Sequence, residues 1–165
     1  MVGCYLEAMD TIDQLRLSLT RSLLQTGRHW QHLAQNAMGT YGISPSGATA
    51  LLFIGRLGEG VRQIELAKEI GIEGASLVRV IDQLEAAGLL RREESSTDRR
   101  AKTLWFTEAG RALTLRIEAV LVDLRARVLA DIDAADLDAT LRVFKAIERA
   151  AQQGVPPAAD TGRPG

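Results

Sequence analysis

Disulfide bridges are the first thing this chain does without. Its one cysteine, Cys4, makes no internal bridge, which fits a reducing compartment and leaves the fold to ordinary packing. Long apolar runs are missing too. The longest, residues 48–54, includes Thr49 and falls far short of the about 20 residues a membrane span requires. The opening MVGCYLEAMD carries Glu7 and Asp10 but no Lys or Arg, so it lacks the basic head of a secretory signal, and the expected location is the cytoplasm. Aromatic residues are only 4% of the total, lean for a β-sandwich. Charge of one sign is also lacking: 20 Lys and Arg against 21 Asp and Glu give a net of −1, so no global basic field announces a nucleic-acid partner. What is present, 165 residues with 46% hydrophobic and 25% charged, has the size and composition of one globular domain.

Proline is scarce in an informative way. Pro45, Pro156, Pro157 and Pro164 are the four, so residues 46–155 contain none and a run of helices is permitted there. The polar, Gly/Pro-rich residues 153–165 are expected to form a disordered tail, and 1–9 a flexible N-terminus, around a single domain at 10–152. Over 10–38, Ile12, Leu15, Leu19, Leu23, Trp30, Leu33, Ala34 and Ala37 recur mostly three or four apart, one face of a long helix. Ser44 and Pro45 then form an N-cap and first-turn proline for a helix to about Leu57. A short helix over 63–70 is expected to turn Ile64, Ala67 and Ile70 inward and to stop at Gly71. The next carries Leu77, Val80, Ile81 and Leu84 and stops at Gly88. The period then drops toward two: LLRREE and KTLWFT read as strands around the polar turn SSTDRRA, a hairpin. Thr107 caps a long helix with Leu113, Ile117, Val120, Leu121, Leu124 and Val128, and Asp133 caps a last one with Leu137, Leu141, Phe144 and Ile147. The long stripes of 10–38 and 107–152 exceed what a small central unit covers, so they are expected to be dimerisation helices of a homodimer.

Helix, tight turn, helix and basic-tipped hairpin, in that order over 44–107, is the winged helix-turn-helix arrangement; the expected class is mainly α with a small β-hairpin wing. The second short helix is the one that enters a DNA major groove. Off its apolar stripe lie Ala75, Ser76, Val78, Arg79 and Asp82, mostly near the N-terminal, electropositive end. Small residues there let the helix seat deeply, and Arg79 reaches a guanine edge or a phosphate. The wing, residues 91–102, has five basic and three acidic groups, a local net of 5 − 3 = +2. Residues 61–112 as a whole balance nine against nine, which keeps a protein-interaction scaffold open beside double-stranded DNA as the partner.

At QIELAKEIGIEGASLVRVIDQLEAAGLL (63–90) and STDRRAKTLWFTEAG (96–110) the sequence resembles the MarR family of transcription regulators, and most closely its SlyA-type branch. The resemblance places the family's Asp-x-Arg wing signature on Asp98 and Arg100 and its recognition helix on 74–87. It implies a homodimer that binds a pseudo-palindrome and is often released by small phenolic or other anionic effectors. Arg100 is the wing residue for the minor groove, oriented by Asp98, while Arg99 and Lys102 are expected to meet phosphates. One departure bears on the effector: SlyA-type relatives often carry a Trp early in the second helix, where this chain has Gly47, Ala48 and Thr49.

Other constellations are thinner. His29 and His32 share a helical face but find no third and fourth ligand, so no metal is expected. With Trp30, Phe53 and Arg56 they are the candidate lining of a pocket for a small aromatic acid at the helix junction; core or dimer packing for Trp30 and a solvated helix end for Arg56 are the competing roles. Cys4, beside Tyr5, raises the alternative of a thiol-based redox sensor, although a frayed terminus supplies no depressed pKa. No nucleophile motif, phosphate loop or paired catalytic carboxylates are found; neither an enzyme nor a cofactor is expected.

Overall fold

Ser44 shows how locally the fold begins: its Oγ accepts the Gly47 N–H at 3.1 Å, with Pro45 as the first helical residue, where a missing N–H costs nothing. The computed structural model describes residues 10–39, 41–94 and 102–154. The order of elements is α1 (Thr11–Ala37), α2 (Pro45–Leu57), β1 (Val61–Arg62), α3 (Gln63–Ile70), α4 (Gly74–Ala86), β2 (Leu90–Glu94), β3 (Lys102–Phe106), α5 (Glu108–Val128) and α6 (Ala134–Gln153). The architecture is mostly helical with one small antiparallel sheet, as the pattern predicts. Two compact units divide within α5, one ending at Leu124 and the other starting at Arg125.

In the first unit the core gathers Leu51 and Ile54 from α2, Leu66 from α3, Leu77 and Ile81 from α4, Leu104 from β3 and Ile117 from α5, all fully buried. Burying a Leu or Ile side chain contributes about 1.5–3 kcal/mol, so this cluster fixes the pose of α4, whose inward face is Leu77, Ile81 and Leu84. From α1, Trp30, Ala34 and Ala37 pack against the core, whereas Ile12, Leu15, Leu19 and Leu33 on the same helix are exposed. In the second unit Asp133 accepts the Asp136 N–H at 2.8 Å and starts α6, whose Leu137, Leu141, Phe144 and Ile147 are likewise exposed.

Two readings need correction. Ile64 is 77% exposed, because the buried face of α3 runs through Leu66, Ala67 and Ile70, and Ile64 lies off that row. The hairpin is also one strand short of the sheet: Val61–Arg62 pairs with β3, Val61 opposite Leu104, giving the order β1-β3-β2. Two residues between Gly60 and the first residue of α3 are too few to show a period. The turn between α3 and α4 agrees with expectation. Gly71 adopts φ 78° and ψ 33°, and the Gly71 and Ile72 N–H groups both donate to the Ala67 carbonyl at 3.0 Å.

Candidate nucleic-acid interface

Leu77, Ile81 and Leu84 face the core, with Val80 partly buried against it, and the opposite side of the helix faces out. Ala75, Ser76, Val78, Arg79 and Asp82 are all exposed on α4. The helix starts at Gly74 with no acidic residue in its first turn, and its N-cap, Glu73, makes no side-chain capping bond to the free N–H groups. These residues share one exposed face of α4: small residues near its N-terminus, then Arg79 one turn on.

Beside it, β2 and β3 pair in register from Leu90 opposite Phe106 to Glu94 opposite Lys102. Most of the wing's basic groups counted from sequence are already engaged. Arg91 pairs with Glu93 and lies over the Trp105 ring, 5.8 Å from its centroid. Arg92 pairs with Asp82 at 2.6 Å and with Glu85, and Lys102 Nζ lies 3.4 Å from Glu94. The surplus of +2 thus narrows, by composition, to Arg99 and Arg100 with Asp98, which lie outside the described residues.

Glu59 was not foreseen, and it anchors the wing base. Where the two-residue β1 has run out, its carboxylate takes over: Oε2 accepts the Phe106 N–H at 3.2 Å, and Oε1 accepts from Arg111 Nη2 at 2.6 Å. The Arg111 guanidinium first, and the Phe106 N–H with it, hold the Glu59 carboxyl below its ordinary value despite some opposing desolvation. A carboxyl depressed on folding contributes stability above its unfolded value near 4.5 and loses it as pH falls through the lower folded value. Glu59→Gln is therefore expected to melt about 2 °C below the parent at pH 7, with the gap closing below pH 4.5. Melting curves at pH 7 and at pH 3 check this; a gap that widens in acid would contradict it.

Of the five pocket candidates only Phe53 and Arg56 are seen in contact among the described residues, and none of the five lines the cavity at the α1–α2 junction. His29 and His32 are exposed, with Asn36 Nδ2 3.2 Å from His32 Nδ1, and Trp30 packs on the core. Arg56 lies over the Phe53 ring, 5.6 Å from its centroid, and 3.8 Å from Glu118. A cavity of about 240 Å³ does open at the junction of α1 and α2, but it is lined by others, among them Gln35, Met38, Tyr41, Ile43, Ala48 and Ile117. The small residues at 47–49 serve packing and capping: Ala48 is buried, and a Cβ on Gly47 would stand 3.4 Å from Leu84 Cδ2.

A recognition helix and a wing around one core define a winged helix-turn-helix unit. A profile described as MarR family matches residues 41–101. The solved transcriptional regulator PA3341 is 32% identical, with 81% of this chain and 98% of that one covered at a TM-score of 0.76. An E. coli MarR variant complexed with operator DNA shares 18% identity over 84% of this chain and 99% of its own, with a TM-score of 0.71. CouR from Rhodococcus jostii RHA1, bound to p-coumaroyl-CoA, shares 22% over 84% and 94%, with a TM-score of 0.69. The chain belongs to the MarR family of transcriptional regulators.

Proposed function

We propose that the chain is a homodimeric regulator of the SlyA type that binds a pseudo-palindromic operator, inserting α4 in the major groove and the wing in the minor groove. The observation that carries this is the outward face of α4, small residues followed by Arg79, held on a fully buried stripe. The operator complex of the E. coli relative supports the reading. Such a protein works in the cytoplasm, with the DNA. The exposed stripes of α1 and α6 are the surfaces a second copy covers, since contiguous apolar faces of this length are rarely left to solvent. Removing residues 133–165 is expected to leave aggregated protein, whereas removing 155–165 has little effect; size-exclusion chromatography decides, and a monodisperse monomer from the shorter chain would contradict the dimer.

A small aromatic or anionic effector releases the DNA, and the cavity beside α1 and α2, about 240 Å³, has room for one ring. The ligand-bound CouR supports an effector in principle. In mechanism, the effector binds one spacing of the two recognition helices more tightly than the other and shifts the population toward it.

Titration of an operator enriched from random duplexes, at several salt concentrations, tests the DNA reading. Phosphate neutralisation makes log K fall with log salt by about 0.9 per contact, and Arg99→Ala is expected to flatten that slope by roughly one contact while lowering affinity evenly across sequences. An enriched duplex that binds no better than random DNA would leave the scaffold alternative.

A further inference from the structure

Arg92 stands on β2, outside the recognition helix, yet its side chain is bound to that helix twice. Nη2 donates to Asp82 Oδ1 at 2.6 Å, Nη1 donates to Glu85, and the Arg92 main-chain N–H donates to Glu85 Oε1 at 3.0 Å. Its side chain is 21% exposed, against 56% for Asp82. Asp82 follows Arg79 by three residues, so both leave neighbouring positions on the outer face of α4. A carboxylate in that place opposes DNA binding in two ways. At this spacing it is an ion-pair partner for Arg79 and competes with DNA for it, and near the duplex it repels phosphates. A planar guanidinium already fixed on Glu85 offers Asp82 a preorganised partner, whereas pairing with Arg79 requires ordering a long exposed side chain.

We propose that Arg92 is a positioning residue for the DNA interface: an internal counter-ion that holds Asp82 away from Arg79 and ties α4 to the wing strand. Arg79 is thereby left to the DNA. This rests on the DNA-binding reading above and assigns it a regulator within the protein itself. Simple attachment of β2 to α4 is the rival role, and it differs in one respect. Attachment needs both partners, whereas a counter-ion becomes dispensable once the carboxylate is gone.

The experiment compares Arg92→Ala, Asp82→Asn and the double variant in the full chain, reading operator affinity by fluorescence anisotropy and melting temperature alongside. Arg92→Ala is expected to bind roughly tenfold more weakly, and Asp82→Asn alone to bind as well as the parent or better. Adding Asp82→Asn to Arg92→Ala is expected to bring affinity back to within about threefold of the parent without restoring the melting temperature. Unchanged affinity in Arg92→Ala would overturn the proposal, as would a double variant as weak as Arg92→Ala. If Arg92→Ala does not fold, Arg92→Lys takes its place: the two-pronged hold is lost, and rescue by Asp82→Asn is expected in the same direction. A parent protein that binds no duplex would overturn the DNA reading and this proposal together, whereas a binding parent with a silent Arg92→Ala would overturn this proposal alone.

Discussion

Gly110→Ala is expected to lower stability by about 3 kcal/mol, roughly 9 °C in melting temperature, although it adds one methyl to a helix and Ala is the better helix former. The cause is a close approach. A Cβ at Gly110 would stand 1.9 Å from the Leu89 carbonyl oxygen and 2.8 Å from its carbon, both main chain, so no side-chain rotation relieves it. The contact is tight because the start of α5 is stitched to the end of α4: Thr107 Oγ1 donates to the Gly88 carbonyl at 2.7 Å and accepts the Gly110 N–H at 3.0 Å, and the Thr107 N–H donates to the Leu89 carbonyl at 3.1 Å. Gly27→Ala is the matched control. Its Cβ would meet nothing within 4 Å in the middle of α1, so a gain of about 0.5–1 kcal/mol is expected. Thermal melts of the two variants are expected to move in opposite directions, and a Gly110→Ala melt within a degree of the parent would refute the packing described for this junction.

Arg79→Ala is expected to weaken operator binding by about 1–3 kcal/mol, five- to 150-fold, while leaving the melting temperature close to the parent. Arg79 is exposed, so its loss opens no cavity. If it reads a base, the variant also loses preference at one position per half-site; if it meets a phosphate, affinity falls evenly. Base-by-base substitution in the enriched operator separates these outcomes, and full wild-type affinity in Arg79→Ala would remove α4 from the interface.

Features set by neighbours in sequence were legible before the structure. Ser44 with Pro45, Gly71, Thr107 and Asp133 each act through a cap or turn completed within a few residues. The outward face of α4 was legible as well, because Leu77, Ile81 and Leu84 recur at helical spacing and fix by exclusion what faces solvent. What escaped was made by tertiary approach. Ile64 was misplaced because an eight-residue helix offers two plausible rows, and only the core decides between them. β1 escaped because its partner lies about 40 residues away in β3. Gly110 looked like an ordinary helical glycine until Leu89 was placed against it. At the site, a count of charges gave the wing's basic excess, but the commitment of Arg92 to Asp82 and Glu85 required the strand to be set beside the helix. Glu59 escaped similarly, since β3 brings Phe106 to it and the first turn of α5 brings Arg111.

If recognition helix and wing bind DNA together, the double variant Arg79→Ala/Arg100→Ala loses both contacts at once. A mobility shift on the enriched pseudo-palindrome at two salt concentrations, with the dimer verified by chromatography, is predicted to show loss of the specific complex, the weakening from Arg100→Ala being largest at sites with a narrow A·T minor groove. A properly folded double variant that still shifts this duplex with wild-type affinity would contradict the account.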